Sequence, residues 1–592
     1  MMKSSCLFLS VAAAMIPFAH AAEPDAPMDE ILIIGETVGD LGLDTESSTG
    51  SRLGLTPMET PASVEVIDSA VLRARGYQKL SDAIQRLPGV VSGEHPSAPS
   101  TFAMRGFTGS QITVLRDGLW IGPSNMVMRP QNTFNLERVE VLRGPSSVLS
   151  GIGAVGSTIN TISRTASVNS PQSFDLLASY GRFDSYQAGL GAGGPLGDKL
   201  WYRADVSRYA ADGYVPGMDP ESTNATASLL WHPSDALSIK FSADYLVDDI
   251  SKYFGTPLIP LAAARRPMTD IIATTTGETV DEDMRFQNYN VSDSVAKSNQ
   301  LFLRADVEWR AGNWIIANTL HRFQADRDWQ NAEGYAYCTQ VVDVCTRVGD
   351  IQRYYGYFFL KHDQESIGDR LTAKLEHEIG GRKNRLLFGA EMNTLDFVRT
   401  RGFRRNIPPA SGDSVDPYDP VPGLYGPREL RGVSPTDIRT RAVFAEDAID
   451  LSSAFTLVTA LRFDELDLDR KNFNASGALE TNGFARDYRW WSWRAGAVYK
   501  ISDQVMVYGQ FSDASDPVNA NVFLVNASEN FELTDAGNGK RGSKPISMAA
   551  ARSSRSRTST SSATMSSSAS TWTALAILAA STHTELKWRQ RT

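Results

Sequence analysis

Cysteine is scarce: three in 592 residues, which excludes a disulfide framework as the basis of the fold. Long apolar runs are missing as well. Downstream of the first two dozen residues no segment offers the ~18–20 apolar residues of a membrane-spanning helix, and the longest late run, Ala574–Ala580, falls far short. No basic stripe interleaved with aromatics occurs in the body and the formal charge is −10, which argues against a general nucleic-acid binder. Nucleophile elbow, zinc-helix motif, P-loop and dinucleotide fingerprint are all absent, which removes the common signatures of an exported enzyme. Acids vanish from one region: none lies between Asp535 and Glu585, where uniform composition would place roughly six. The net charge is therefore an average of two unlike pieces, −18 over residues 1–535 and +8 over 536–592.

What is present begins with an export signal. Lys3 supplies a positive start, Leu7–Ala19 is an apolar run, and Ala19-His20-Ala21 fits the small-x-small cleavage rule. Residues 1–22 are therefore read as a signal peptide. Cys6 leaves with it, so Cys338 and Cys345 remain. In an oxidising compartment these two could close a small loop, the alternative being two free thiols; a pair alone is too few ligands for a structural zinc site.

The middle of the chain alternates with period two. In Leu237–Tyr245 the odd positions are apolar and the even ones polar, and Leu301–Arg310, Phe174–Tyr180, Leu200–Val206 and Phe455–Phe463 share the habit. Such strands lie between a dry and a wet phase. Their reach of about 9–13 residues suits a tilted crossing of a bilayer, whereas strands of soluble proteins average nearer 5–6. Tight turns at Pro195–Asp198 and His232–Asp235 alternate with long excursions over Val247–Lys297 and Arg401–Pro435. Short turns at one end and long loops at the other are the habit of an outer-membrane β-barrel.

Residues 56–165 do not fit that pattern. Leu80–Leu87 predicts a short helix with Ser81 or Asp82 as a cap, ended by Pro88-Gly89. Short strands follow at Ile112–Leu115, before the Asp117-Gly118 turn, and at Arg138–Leu142, before Gly144-Pro145. A compact α/β unit ahead of a wide barrel can plug its lumen.

Several segments now resemble one family. Thr60–Ile67, Ala83–Val90, Met104-Arg105-Gly106-Phe107, Val114-Leu115-Arg116-Asp117-Gly118 and Leu136–Leu149 follow the order and spacing of the plug motifs of TonB-dependent outer-membrane receptors, closest to the ferric-siderophore branch. Gly151–Asn160 continues the match with departures, Ser150 standing where a Tyr is usual and Gly156-Ser157 where two glycines are. Met28–Gly35 resembles the Ton box, with Glu30, Ile31, Leu32, Ile33, Ile34 and Gly35 at its centre. A short β-branched strand near the N-terminus can add to the edge of a partner's sheet.

The resemblance implies a membrane β-barrel with an N-terminal α/β plug domain in the lumen. It divides the chain into a Ton box and linker (23–55), a plug (56–165), a barrel (166–540) and a Ser/Thr/Arg-rich tail (541–592). It implies uptake of a ferric siderophore across the outer membrane, driven by TonB and its inner-membrane energising complex. No catalysis is implied, and no cofactor beyond the iron that the ligand carries. Arg105, Glu140 and Arg143 would pair with plug and barrel groups and hold the plug, with Gly106, Asp117, Gly118, Gly144 and Pro145 shaping its turns. The plug apices Ser92–Ser100, Thr108–Gln111 and Ile121–Asn132 would face the ligand, which singles out His95, Trp120 and Arg129 as binding residues. A receptor for cobalamin or haem, a passive porin and a soluble exported β-rich enzyme are the rival readings. Only about 14 strand candidates occur between Ser173 and Ser515, against about 22 in a plugged transporter barrel. In Arg552–Ser570, 13 of 19 residues are Ser or Thr. Such text is what out-of-frame reading of GC-rich coding DNA gives, so a frameshift near Gly539–Gly542 and a non-functional truncated product are further expectations, beside a natural disordered tail.

Overall fold

The computed structural model of the chain describes residues 42–95, 98–108, 111–123, 129, 131–152, 154–250, 252–268, 276–342, 344–353, 357–405, 413–502, 505–516, 534–545 and 557–560. The signal stretch, the Ton-box residues Glu30–Gly35 and most of the tail lie outside them.

The first unit holds β1 (Ser63–Asp68), α1 (Ser69–Ala74), α2 (Leu80–Ile84), β2 (Val90–His95), β3 (Ala98–Met104), β4 (Phe107–Thr108), β5 (Ile112–Arg116), β6 (Leu119–Trp120), β7 (Leu136–Arg143), α3 (Ser147–Ser150) and β8 (Ser157–Ser163). Five strands form one sheet in the order β1-β7-β8-β5-β6, with β5 and β8 parallel. All five residues of β5 are buried, as a strand covered on both faces requires. Leu72, Ile84, Met104, Val114, Val139 and Ile159 meet in the core of this unit. The starts of α1 and α2 are capped. The Asp68 carboxylate accepts from the Val71 backbone N–H at 2.8 Å, and the Asp82 carboxylate accepts from Lys79 N–H at 2.9 Å and Gln78 N–H at 3.1 Å.

Fourteen longer strands follow: β9 (Ser173–Tyr180), β10 (Tyr186–Gly197), β11 (Leu200–Ala210), β12 (Glu221–Ser234), β13 (Leu237–Asp249), β14 (Val295–Ala311), β15 (Trp314–Asn331), β16 (Phe358–Ile379), β17 (Arg382–Arg404), β18 (Arg428–Asp450), β19 (Phe455–Arg470), β20 (Phe484–Ser502), β21 (Val505–Asp516) and β22 (Thr534–Pro545). Each pairs antiparallel with its neighbours in chain order. One end of the sheet carries the tight turns 198–199, 235–236, 312–313 and 380–381; the other carries the long connections 250–294, 332–357 and 405–427.

Side-chain polarity identifies the two faces. Phe174, Leu190, Phe241, Trp309, Met392, Val443 and Trp491 are exposed on the outer face, while Asp205, Asn224, Asp244, Gln300, Glu446 and Arg494 are buried on the inner one. A soluble sandwich would reverse this; apolar outside and polar inside is the pattern of a barrel in lipid.

Two sequence expectations are corrected. Arg401–Pro435 reads as one long loop, yet β17 runs to Arg404 and β18 starts at Arg428. Both strands continue past the apolar band into water, where the outer face turns polar and a strand no longer alternates in hydrophobicity. The tail also orders further than its composition predicts. Arg557–Thr560 is a strand paired with Gly539–Gly542 of β22, because a Ser/Thr run is compatible with extended backbone and an edge offers unpaired N–H and C=O groups.

Candidate functional site: the interface of plug and barrel

Two of the expected turns are two-residue hairpins with both residues at positive φ. Arg105 (φ 54°) and Gly106 (φ 88°) join β3 to β4, and Asp117 (φ 52°) and Gly118 (φ 75°) join β5 to β6. This is the mirror-image turn that matches strand twist. The second one reaches the barrel. The Asp117 carboxylate accepts from Ser163 N–H at 2.8 Å and Ser163 Oγ at 3.0 Å, and it pairs with Arg304 of β14 at 3.1 Å. Burial alone would raise its pKa, but Arg304 and the Ser163 hydrogen bonds more than offset this and hold it below the usual carboxylate value. Arg370 of β16 donates to the Gly118 carbonyl at 2.7 Å. The Arg105 side chain is exposed, and no ion pair of it is found among the described residues.

Glu140 and Arg143 are fully buried on β7, between β1 and β8, and the partners they reach belong to the plug and to the segment just before it. Arg143 pairs with Glu65 of β1 at 2.5 Å. Glu140 accepts from Arg138 Nε at 2.8 Å, and its other oxygen from Ser47 Oγ at 3.0 Å, Thr49 N–H at 2.9 Å and Thr49 Oγ1 at 2.6 Å. The expectation that these two reach the barrel wall is corrected accordingly. Gly144 (φ 92°) donates its N–H to the Gly156 carbonyl at 2.7 Å and turns the chain, with the buried Pro145, toward α3.

The acceptor role of Glu140 exposes what the sequence reading misses. Residues 42–55, read as linker, form a strap between plug and wall. Ser51 Oγ donates to Glu446 of β18 at 2.7 Å and Arg52 N–H to the same carboxylate at 2.9 Å. Arg494 of β20 pairs with Glu446 and donates to the Gly50 carbonyl at 2.8 Å. Arg52 lies 4.5 Å over the Phe444 ring, and burial, then the neighbouring Arg370, lowers its guanidinium pKa to about 9. Leu53 and Leu55 pack on Leu387, Phe444 and Val458 of the wall. One carboxylate from the plug and one from the barrel thus grip the same six-residue stretch.

The ligand candidates fare differently. His95 ends β2 with its backbone paired to Ala98; its imidazole lies outside the described groups. Trp120 ends β6 and packs on the wall cluster of Leu395, Phe397, Leu468, Tyr488 and Trp490. Arg129 is corrected as a ligand contact. It is buried, and its guanidinium forms a bidentate pair with Asp248 of β13 and donates to the Ala296 carbonyl at 3.3 Å, so it fastens the plug to the wall. Further seams join Arg116 to Gln300 at 3.3 Å and Asn132 to Ser207 at 3.1 Å. In the long connections Cys338 and Cys345 are disulfide-bonded. Arg353 ties three connections together, donating to the Tyr289 carbonyl at 2.6 Å and the Val421 carbonyl at 3.0 Å.

Comparisons with known proteins agree with this architecture. The family model "TonB-dependent Receptor Plug Domain" matches residues 56–158, and "TonB dependent receptor-like, beta-barrel" matches 266–539. The Ferripyoverdine receptor of Pseudomonas aeruginosa is 28% identical over 31% of this chain and 23% of its own length. The Probable TonB-dependent siderophore receptor PiuA of Acinetobacter baumannii is 22% identical over 81% of this chain and 64% of its own. The chain thus spans less than two thirds of the length of either curated relative. Among solved structures, PiuA superposes with a TM-score of 0.70 at 18% identity, covering 85% of this chain and 73% of that one. The closed form of the ferric-catecholate import receptor Fiu from Escherichia coli gives 0.70 at 19%, covering 83% and 72%. At such identities the likeness is one of fold. Matched in order by the plug model and then the barrel model of one family, and folded as a plug fastened inside an apolar-out barrel wall, the chain belongs to the TonB-dependent receptors of the outer membrane.

Proposed function

We propose that the chain is a receptor for uptake of a ferric siderophore, energised through its Ton box by TonB and the inner-membrane complex behind it. The observation that carries this reading is the strap. Residues 47–52 connect the Ton-box end of the chain to both a plug carboxylate, Glu140, and a wall carboxylate, Glu446. A pull on the N-terminus reaches this grip before it reaches the plug sheet. Support for the ligand class comes from relatives whose names specify siderophores, PiuA, Fiu and the ferripyoverdine receptor among them. In this reading the receptor has no resident cofactor and performs no catalysis on its cargo; the iron arrives within the ligand. Ile33→Pro, which removes a backbone donor from the proposed Ton box, should abolish uptake of radiolabelled ferric siderophore into an iron-starved receptor-deficient strain. Uptake should also fail in a strain without TonB. Persistence of uptake in either case would indicate passive flow, and uptake of cobalamin or haem in place of ferric chelates would redirect the substrate.

A further inference from the structure

The three long connections of the wall, a first over 250–294, a second over 332–357 and a third over 405–427, share one core. Ile259, Met284 and Tyr289 of the first are buried against Ile351 of the second, with Val415 and Tyr418 of the third packed on them. Another cluster, Val291, Ala332 and Tyr425, again takes one residue from each connection and closes on Phe359 of β16. Backbone pairing crosses the same boundaries. The short strand Ile351–Arg353 lies between Tyr335–Tyr337 of its own connection and Ser414–Val415 of the third. Loops that run separately over a surface leave their backbone to water; these bury it against one another.

Polar contacts follow the same division. Arg353 is buried in the second connection. Its backbone N–H donates to the Asp413 carbonyl at 2.9 Å, and its guanidinium donates to the Tyr289 carbonyl of the first connection and the Val421 carbonyl of the third. Asp281, buried in the first, accepts from the Arg266 N–H at 3.0 Å and from the Tyr418 hydroxyl of the third at 3.3 Å. The Arg265 guanidinium lies 3.5 Å over the Tyr418 ring. Beside the Cys338–Cys345 bridge, the Thr346 and Ser414 hydroxyls are 2.9 Å apart and Arg347 pairs with Asp416 at 2.9 Å. The group is also seated on the wall, since Asn290 donates to Asn331 of β15 at 2.9 Å. Segments that share a buried core and buried polar bonds open together, because the loss of one exposes the apolar surface of the others.

We propose that the described parts of these three connections form one cooperative rim centred on Arg353, which keeps its internal contacts throughout ligand entry, so that none of the three closes as a separate flap. The rim does not depend on which ligand the receptor takes. Hydrogen exchange on the full-length receptor in detergent tests it with no ligand present. The reporters are the Arg266, Cys338 and Tyr418 amides, one from each connection, which are bonded to Asp281, Asp350 and Asp416. The Arg353 guanidinium donates to acceptors on other residues, Tyr289 and Val421. Arg353→Gln should speed exchange at all three reporters by about tenfold or more, the effect of losing a charge-assisted hydrogen bond. The Arg310 amide, bonded to the Ala236 carbonyl at the tight-turn end, should keep its rate. Faster exchange confined to the surroundings of Tyr289 and Val421, with the three reporters unchanged, overturns the rim. A bridged variant decides the matter should Arg353→Gln not insert. Gln352 and Ser414 are paired in register, so Gln352→Cys with Ser414→Cys joins the second connection to the third. Oxidation of this pair should slow exchange at the Arg266 amide of the first connection, and an unchanged rate there overturns the rim. In cells, the bridged receptor should take up radiolabelled iron(III) tris(2,3-dihydroxybenzoate) as fast as the unmodified one. Uptake that falls on bridging and returns with reductant means that the connections part during entry, which also overturns it. No uptake of this chelate by the unmodified receptor would count against the transport reading alone, and the exchange rates would still decide for or against the rim.

Discussion

Single carboxylates at this interface act with opposite signs on acid stability. Asp117 is buried, yet Arg304 and Ser163 hold its pKa below the ordinary value. Its contribution is therefore complete above the unfolded carboxylate pKa and is lost as pH falls through the lower folded value. Asp117→Asn should lower stability at neutral pH by about 1–3 kcal/mol and flatten the acid limb, read as the pH midpoint of plug unfolding by tryptophan fluorescence. Glu333 behaves in the reverse way. Burial, only partly offset by the Trp329 indole and Arg327, raises its pKa to about 7. The unfolded chain ionises first, so stability declines as pH rises from the ordinary glutamate value to about 7. Glu333→Gln should remove that decline. Gly156 offers a steric test of the same scale. A Cβ there would stand 2.5 Å from the Phe107 Cβ and 2.9 Å from the Gln111 carbonyl oxygen, so Gly156→Ala should cost about 1–3 kcal/mol through overpacking, seen as a lower melting temperature of the plug. Of these residues, the Asp117-Gly118 turn is plain in the sequence because Asp-Gly is itself the signal. The identity of its barrel partner is not, since Arg304 is one of many inward-facing arginines.

At the level of the element, the strap is where sequence and structure part. Ser47-Ser48-Thr49-Gly50-Ser51 is polar, small and without periodicity, which describes a linker. Its stability comes from acids 91 and 395 residues away along the chain, and nothing local announces them. The strands are the opposite case: alternation finds the start of β13 and the end of β14, though β14 begins six residues before Leu301, while the helix cap is read less well, since the N-cap is Lys79 and Asp82 caps it from the third helical position. Alternation also explains the failure at 401–435, for it marks a strand only while one face meets lipid. Because two carboxylates grip the strap, removing either should loosen it separately. Glu446→Gln leaves Arg494 buried without its counter-charge, a loss of order 3–5 kcal/mol where no relaxation occurs, and should speed hydrogen exchange at the Arg52 amide. Glu140→Gln should speed it at the Thr49 amide. Exchange at the wild-type rate in both variants would mean that Leu53 and Leu55 hold the strap unaided.

For the whole molecule, one inside-out rule organises everything above. Every strand from β9 to β21 has to satisfy lipid on one face and a charged, plugged lumen on the other, so the acids and arginines that would be unusual in a soluble core are concentrated where the plug can pair them. The same rule limits what could be read in advance. Composition and period reveal that there are two phases, and the plug motifs reveal which unit fills the lumen. Register, which assigns Arg304 to Asp117 and Arg129 to Asp248, arises only when the sheet is assembled. The rule makes a sharp demand on Phe241, which is 56% exposed on the outer face and pairs with Leu229 and Ala305 of the adjacent strands. Phe241→Arg puts a charge against hydrocarbon at a cost of up to about 2–4 kcal/mol, depending on depth, whereas Phe241→Leu keeps the surface apolar. The leucine variant should reach the outer membrane with wild-type heat-modifiable mobility, and the arginine variant should accumulate unassembled or show a lowered unfolding midpoint in urea. If the arginine were tolerated as well as the leucine, the face assigned to lipid would be facing water, and the inward arginines and acids would have to be reassigned with it.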